Sequence, residues 1–154
     1  MEISISLPLD NDGFLRRECP DCMQEFKWHH GPANEEAEQI SDSGIYHCPL
    51  CGQSAGPGSW WTQEQLDYAQ KAAMPAALQS LEDQLDGIFQ GASNKHFSVK
   101  RTGHLDLPEE AMPLVDKDDM SIVASPCHAY EPVKVPETAA GPFYCLVCGS
   151  PFAV

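Results

Sequence analysis

The chain has 154 residues, 42% of them hydrophobic and 21% charged, a length that suits one ordinary domain of ~100–150 residues or two small ones. Its 23 acidic residues against 9 basic ones leave a formal charge of −14, which repels a phosphate backbone and an anionic membrane surface alike. No stretch approaches the ~18 apolar residues of a membrane span, and the opening MEISISLPLDNDG lacks the basic start and apolar core of a secretory signal; a cytoplasmic, soluble protein is expected.

Residues 3–7 alternate apolar and polar and read as a half-buried strand, followed by a turn-rich break from Pro8 to Gly13. The segments 14–18 and 25–28 read as strands on either side of Cys19-Pro20-Asp21-Cys22, so this pair of cysteines sits at the tip of a hairpin. The acidic stretch from Gly31 to Gly44 reads as an exposed loop, and Ile45-Tyr46-His47 as a short strand delivering Cys48-Pro49-Leu50-Cys51-Gly52. Disulfides are rare in the cytosol, and two intervening residues let both thiolates of such a pair reach one metal about 2.3 Å away. A glycine after the second cysteine lets the chain turn away through positive φ. Cys19, Cys22, Cys48 and Cys51 therefore form a candidate tetrahedral site with no open position, the structural pattern for zinc. Hairpin, loop, strand and four cysteines over residues 14–52 resemble a zinc ribbon. Paired C-P-x-C knuckles also resemble rubredoxin-like electron carriers, which makes iron a minor alternative at this site, weakened by Met23 standing where a glycine is usual. His29, His30 and His47 lie close in sequence and read as exposed strand-end residues, with tuning of the thiolates as the alternative.

After a breaker stretch over 53–59, Thr62 and Gln65 form a T-x-x-Q capping box, with Trp61 and Leu66 placed as its hydrophobic staple. Pro75 is expected to end or kink the helix that follows. Leu78, Leu81, Leu85, Ile88 and Phe89 recur on one face up to a terminator at Gly91, a stripe that packs as core or docks a partner.

The only basic concentration is Lys95 to His104, read as a strand with a basic polar face or, alternatively, as a contact for phosphate or an acidic partner. Residues 105–120 read as an irregular connection, 121–124 and 132–135 as strands, 142–144 as the strand delivering Cys145-Leu146-Val147-Cys148-Gly149, and 152–154 as a packed end. Cys127, Cys145 and Cys148 make a second candidate site that needs a fourth ligand. His128 fits the count, because seven cysteines and one histidine fill two tetrahedra, but adjacent side chains share a metal only in a turn, which Pro126 favours. His104, His96, a carboxylate or water are the alternatives, and water would open the site to chemistry.

No phosphate loop, dinucleotide fingerprint, nucleophile elbow or zinc-hydrolase motif is present. The pattern implies an α+β fold in which two small zinc-ribbon-like β modules, 1–58 and 93–154, flank a central helical segment, 59–92. In size, charge and paired knuckles the chain resembles small bacterial-type zinc-ribbon proteins that serve beside a larger partner. The function expected is a non-enzymatic adapter or regulator with two structural Zn2+, its acidic surface facing a basic protein partner. Trp28, Trp60, Trp61 and the helix face 78–89 are the expected anchors. A nucleic-acid-binding ribbon using Arg16, Arg17, Lys27 and the 95–101 cluster is the leading alternative, and a thiol switch that releases zinc on oxidation is another.

Overall fold

A computed structural model describes residues 2–154 and shows a mixed α+β chain in which small antiparallel sheets precede and follow one long helix. The chain divides into two compact units: Leu7–Gln65 with Leu114–Val154, and residues 2–6 with Leu66–Pro113.

In the first unit, β1 (Phe14–Glu18) and β2 (Glu25–His29) form the expected hairpin, with Arg16 opposite Lys27. A four-residue helix, α1 (Glu35–Glu38), interrupts the acidic stretch that the sequence presents as loop; Asn34 caps it by accepting from the Ala37 amide at 2.9 Å. β3 (Tyr46–His47) pairs with β4 (Ser54–Ala55) across the second knuckle. From the far end of the sequence come β5 (Met120–Val123), β6 (Val133–Pro136), and the pair β7 (Phe143–Tyr144) and β8 (Pro151–Phe152) across the third knuckle. One sheet runs β1-β2-β6-β5. Strands from the N-terminal and C-terminal cysteine segments thus share a ladder, with Lys27 opposite Lys134 and Trp28 opposite Val133. Segments that the sequence presents as separate modules meet in one sheet.

Two like charges directly opposite on a ladder repel, and both lysines are buried. Asp10 resolves this by lying between them, 3.3 Å from Lys27 Nζ and 2.7 Å from Lys134 Nζ, while Asp116 reaches Lys27 at 2.6 Å and Asp12 reaches Lys134 at 2.7 Å. Arg16 adds ion pairs to Glu25, Asp116 and Asp119 at 2.8, 2.9 and 2.6 Å. Burial alone would raise the Asp10 pKa, but bonds from Lys134, the Phe14 and Asp12 amides and Lys27 outweigh it and hold the carboxyl down at about 2.

The apolar core of this unit gathers Phe26, Trp60, Val123, Val133, Val135, Phe143, Leu146 and Phe152 around Cys19 and Cys48. Phe26 and Trp28 meet Trp60 edge-on at 5.6 and 6.0 Å. Trp60 is wholly buried, so it is a core residue and not the exposed anchor expected from sequence. The expected strand over 3–7 is absent, because those residues find no partner strand and Ile3 stays exposed. Apolar packing at the C-terminal end stops at Phe152, and Val154 is exposed.

The long helix α2 (Gln63–Ala92) starts as its capping box dictates: the Thr62 amide donates to Gln65 Oε1 at 3.1 Å and the Gln65 amide to Thr62 Oγ1 at 3.0 Å. Gln65 Nε2 then donates to the Arg16 carbonyl at 2.8 Å, fixing the helix start to β1. The expected staple is not made in this way, since Trp61 spends its ring on Arg17 and Leu66 remains exposed. Helical residues continue through Pro75, so the proline does not end α2. In the second unit Leu81 and Ile88 are 46% and 64% exposed, so the apolar stripe is not a buried core face. The basic segment is not a strand; an isolated bridge, Asn94 with Phe97, turns it, and Arg101 pairs with Glu82 and Asp86 on α2. Among the described residues no helix is long and apolar enough to cross a membrane.

Candidate metal centres

Three knuckles are built to one local plan. In each, the first cysteine's amide donates to the carbonyl five residues on, and its own carbonyl accepts from the amide four residues on: Cys19 with Gln24 and Met23 (both 3.0 Å), Cys48 with Gln53 and Gly52 (both 2.9 Å), Cys145 with Ser150 and Gly149 (2.9 and 2.8 Å). This closure requires a left-handed residue after the second cysteine. Gly52 and Gly149 supply it at φ 78° and 74°, and Met23 takes the same conformation at 59°. A side chain in that region costs about 1–2 kcal/mol, so Met23 carries strain that the two glycines avoid.

The knuckles bring the donors into two tetrads, Cys19, Cys22, Cys48 and Cys51, and Cys127, His128, Cys145 and Cys148, with all donor atoms of a tetrad within 4.8 Å of one another. In the first, Cys19 and Cys51 sulfurs are 3.7 Å apart and Cys22 and Cys48 sulfurs 3.8 Å. A zinc–sulfur tetrahedron with bonds of about 2.3 Å has edges of about 3.8 Å, whereas a disulfide would bring sulfurs to about 2.05 Å. All seven cysteines are free thiols. Amides of Asp21 and Cys22 point at Cys19 Sγ from 3.4 and 3.5 Å, and the Leu50 amide at Cys48 Sγ from 3.4 Å, the arrangement that supports thiolate charge. Without metal, burial would raise the Cys19 thiol, yet the Cys22 and Asp21 amides bring it below its usual value; Cys22 is pushed up to about 11 and Cys48 higher, by burial first. Four sulfur donors gathered in this way could hold a metal ion, whose charge would favour their thiolate forms.

In the second tetrad Cys127 and Cys148 sulfurs are 3.6 Å apart, and His128 Nδ1 lies 3.3 Å from Cys145 Sγ. The turn that neighbouring ligands need is present. Ser125 Oγ accepts from the His128 amide at 3.2 Å and itself points at Cys145 Sγ at 3.2 Å, while the His128 carbonyl accepts from the Glu131 amide at 3.1 Å. His128 therefore joins the three cysteines and neither His96 nor His104 does. Ser150 lies 3.3 Å from Cys148 Sγ and, through its hydroxyl and amide, draws that thiol down to about 6.

No family model, curated protein or solved structure matches the chain. The donor geometry therefore carries the assignment: two cysteine-rich tetrads, each of a form that holds a metal ion.

Not legible in the sequence is the lock between the second and third knuckles. The His47 amide donates to the Leu146 carbonyl and the Tyr144 amide to the Pro49 carbonyl, both at 2.9 Å. Each of these residues directly precedes a knuckle and reaches into the other one. Their rings lie on the opposite glycines so closely that a Cβ on Gly149 would stand 2.6 Å from His47 and one on Gly52 would stand 2.9 Å from Tyr144. His47 is thus a packing element between the two tetrads rather than an idle strand end. The signal was an aromatic ring just before each C-x-x-C-G.

Proposed function

We propose that both tetrads hold structural Zn2+ and that the chain acts as a non-enzymatic adapter, binding a protein partner with a basic face through its acidic surface. The observation behind the zinc assignment is the set of sulfur–sulfur edges, 3.6 to 3.8 Å, which suit a zinc tetrahedron. Four donors at each site leave no position for water, which favours a scaffold over a metal-assisted reaction. Iron remains the alternative at the all-sulfur site, where the donor set suits both metals.

The adapter reading draws on what the charged residues do. Arg16, Lys27, Lys134 and Arg101 are neutralised by neighbouring carboxylates, so much of the basic footprint a nucleic-acid ribbon would use is engaged within the molecule. Exposed Leu81 and Ile88 on α2 supply apolar contact area beside the acidic charge. Titration of the zinc-loaded chain with a purified partner should give an affinity that weakens as ionic strength rises. Submicromolar, salt-dependent binding to DNA or RNA would replace this reading with the nucleic-acid one.

A thiol switch has one observation in its favour, the exposure of Cys127 and Cys148. Zinc release from the second tetrad by mild peroxide, reversed by a reductant, would support it.

A further inference from the structure

A cavity of about 580 Å3 opens in the first unit, within the ~300–1,000 Å3 of small-molecule sites, and none of its lining residues is a proposed metal ligand. One wall is Arg17. Where Arg16, Lys27 and Lys134 each have carboxylates, Arg17 has no ion pair or side-chain hydrogen bond among the described residues, and its Nε is buried without a partner. Its guanidinium lies 4.8 Å over the Trp28 ring and 5.4 Å from that of Trp61. Cation–π attraction to these rings holds the guanidinium in place without using its N–H donors, which stay free for an acceptor such as a carboxylate. Burial lowers Arg17 only to about 10, so it is a cation at neutral pH.

The cavity floor continues from Trp28 to Tyr46, ring centroids 4.9 Å apart. Asp42 and Glu131 also line it, both close enough to Tyr46 to act on it electrostatically, and burial first, then the Asp42 charge, raises the Glu131 carboxyl. The cavity is therefore amphoteric: a cationic fork, an aromatic floor, and a pair of carboxylates. A polyanion is disfavoured there, because Glu38 lines the same space beside Asp42 and Glu131.

We propose that this cavity binds a small zwitterion of the amino-acid or short-peptide class, with its carboxylate on Arg17, its apolar body over Trp28 and Tyr46, and its ammonium at Asp42 and Glu131. This goes beyond the zinc adapter reading and requires only that the unit be folded.

The test uses the full zinc-loaded chain, with calorimetry and tryptophan fluorescence as readouts. The probes are phenylalanine, its carboxamide, its N-acetyl derivative, and a tripeptide ending in phenylalanine. Saturable binding of the amino acid or the tripeptide is expected, and whichever binds tighter identifies the source of the ligand. Loss of the carboxylate or of the free amine should weaken binding at least about tenfold. Arg17→Gln and Arg17→Lys should both lose binding, the latter because a point charge does not replace the fork. Glu131→Gln should weaken the free amine and leave the N-acetyl compound unchanged, which keeps the proposal testable if the Arg17 variants fail to fold. No saturable binding at millimolar concentration, or a carboxamide that binds as well as the acid, would overturn it.

Discussion

The first tetrad has Cys19 and Cys48 wholly buried, amides aimed at both sulfurs, and the aromatic core packed around them. The second has Cys127 and Cys148 exposed, takes two neighbouring donors from one turn, and is supported by the hydroxyls of Ser125 and Ser150 together with the Ser150 amide. The same knuckle can thus serve as the centre of a core or as a clasp at its edge, depending on what packs outside the sulfurs. Because the second and third knuckles lean on each other, the two tetrads are in contact: His47 and Tyr144 each bond and pack across from one knuckle to the other.

The widest separation should come from removing one ligand at each site. Cys48→Ser is expected to abolish folding of the first unit, since structural zinc contributes about 10–16 kcal/mol in zinc-finger peptides, whereas Cys148→Ser should leave a folded chain with weakened metal at the second site. Circular dichroism with zinc content reads both; equal loss from the two variants would erase the distinction drawn here. Next is the sheet that joins the cysteine segments. Lys27→Ala leaves Asp10 and Asp116 buried beside a missing cation and should cost about 3–5 kcal/mol in denaturant unfolding. Asp10 also gives a pH signature. Its folded pKa, about 2 against an ordinary 3.8, means its contribution is present above pH 3.8 and fades as pH falls through 2. The stability gap between the wild type and Asp10→Asn should narrow across that window.

A smaller effect probes the coupling. Gly149→Ala adds a Cβ 2.6 Å from the His47 ring at φ 74°, and should cost about 2 kcal/mol and loosen metal at the first tetrad as well as the second. Adding His47→Ala should recover the steric part and not the backbone part, as a double-mutant cycle would register. Smallest of all, Met23→Gly should stabilise by up to about 1 kcal/mol, because it removes left-handed strain from an exposed side chain.

Most of the metal-site geometry was legible because it is local. C-x-x-C spacing, the following glycines and the Thr62–Gln65 box all act over a few residues, and each forms as its spacing requires. His128, which lies with the three cysteines of the second tetrad, was one of several candidates that the count left open, and Pro126 before it favoured the turn. What escaped was long-range. Nothing near Lys27 announces that Lys134 lies opposite it or that Asp10 sits between them, so a buried ion cluster read as surface charge. The alternation at residues 3–7 was genuine as a pattern but had no partner strand to make it structure. Of the two outcomes expected at Pro75, an end to the helix does not occur, because a proline costs a helix one hydrogen bond and some crowding, which neighbouring helical turns can outweigh.

Native mass spectrometry during a graded chelator titration counts metals and reads folding in one sample. Two zinc ions per chain are expected, the first lost while the charge-state distribution stays compact and the second lost together with unfolding. A chain that carries one metal or none, or that unfolds on losing the first ion, would contradict it.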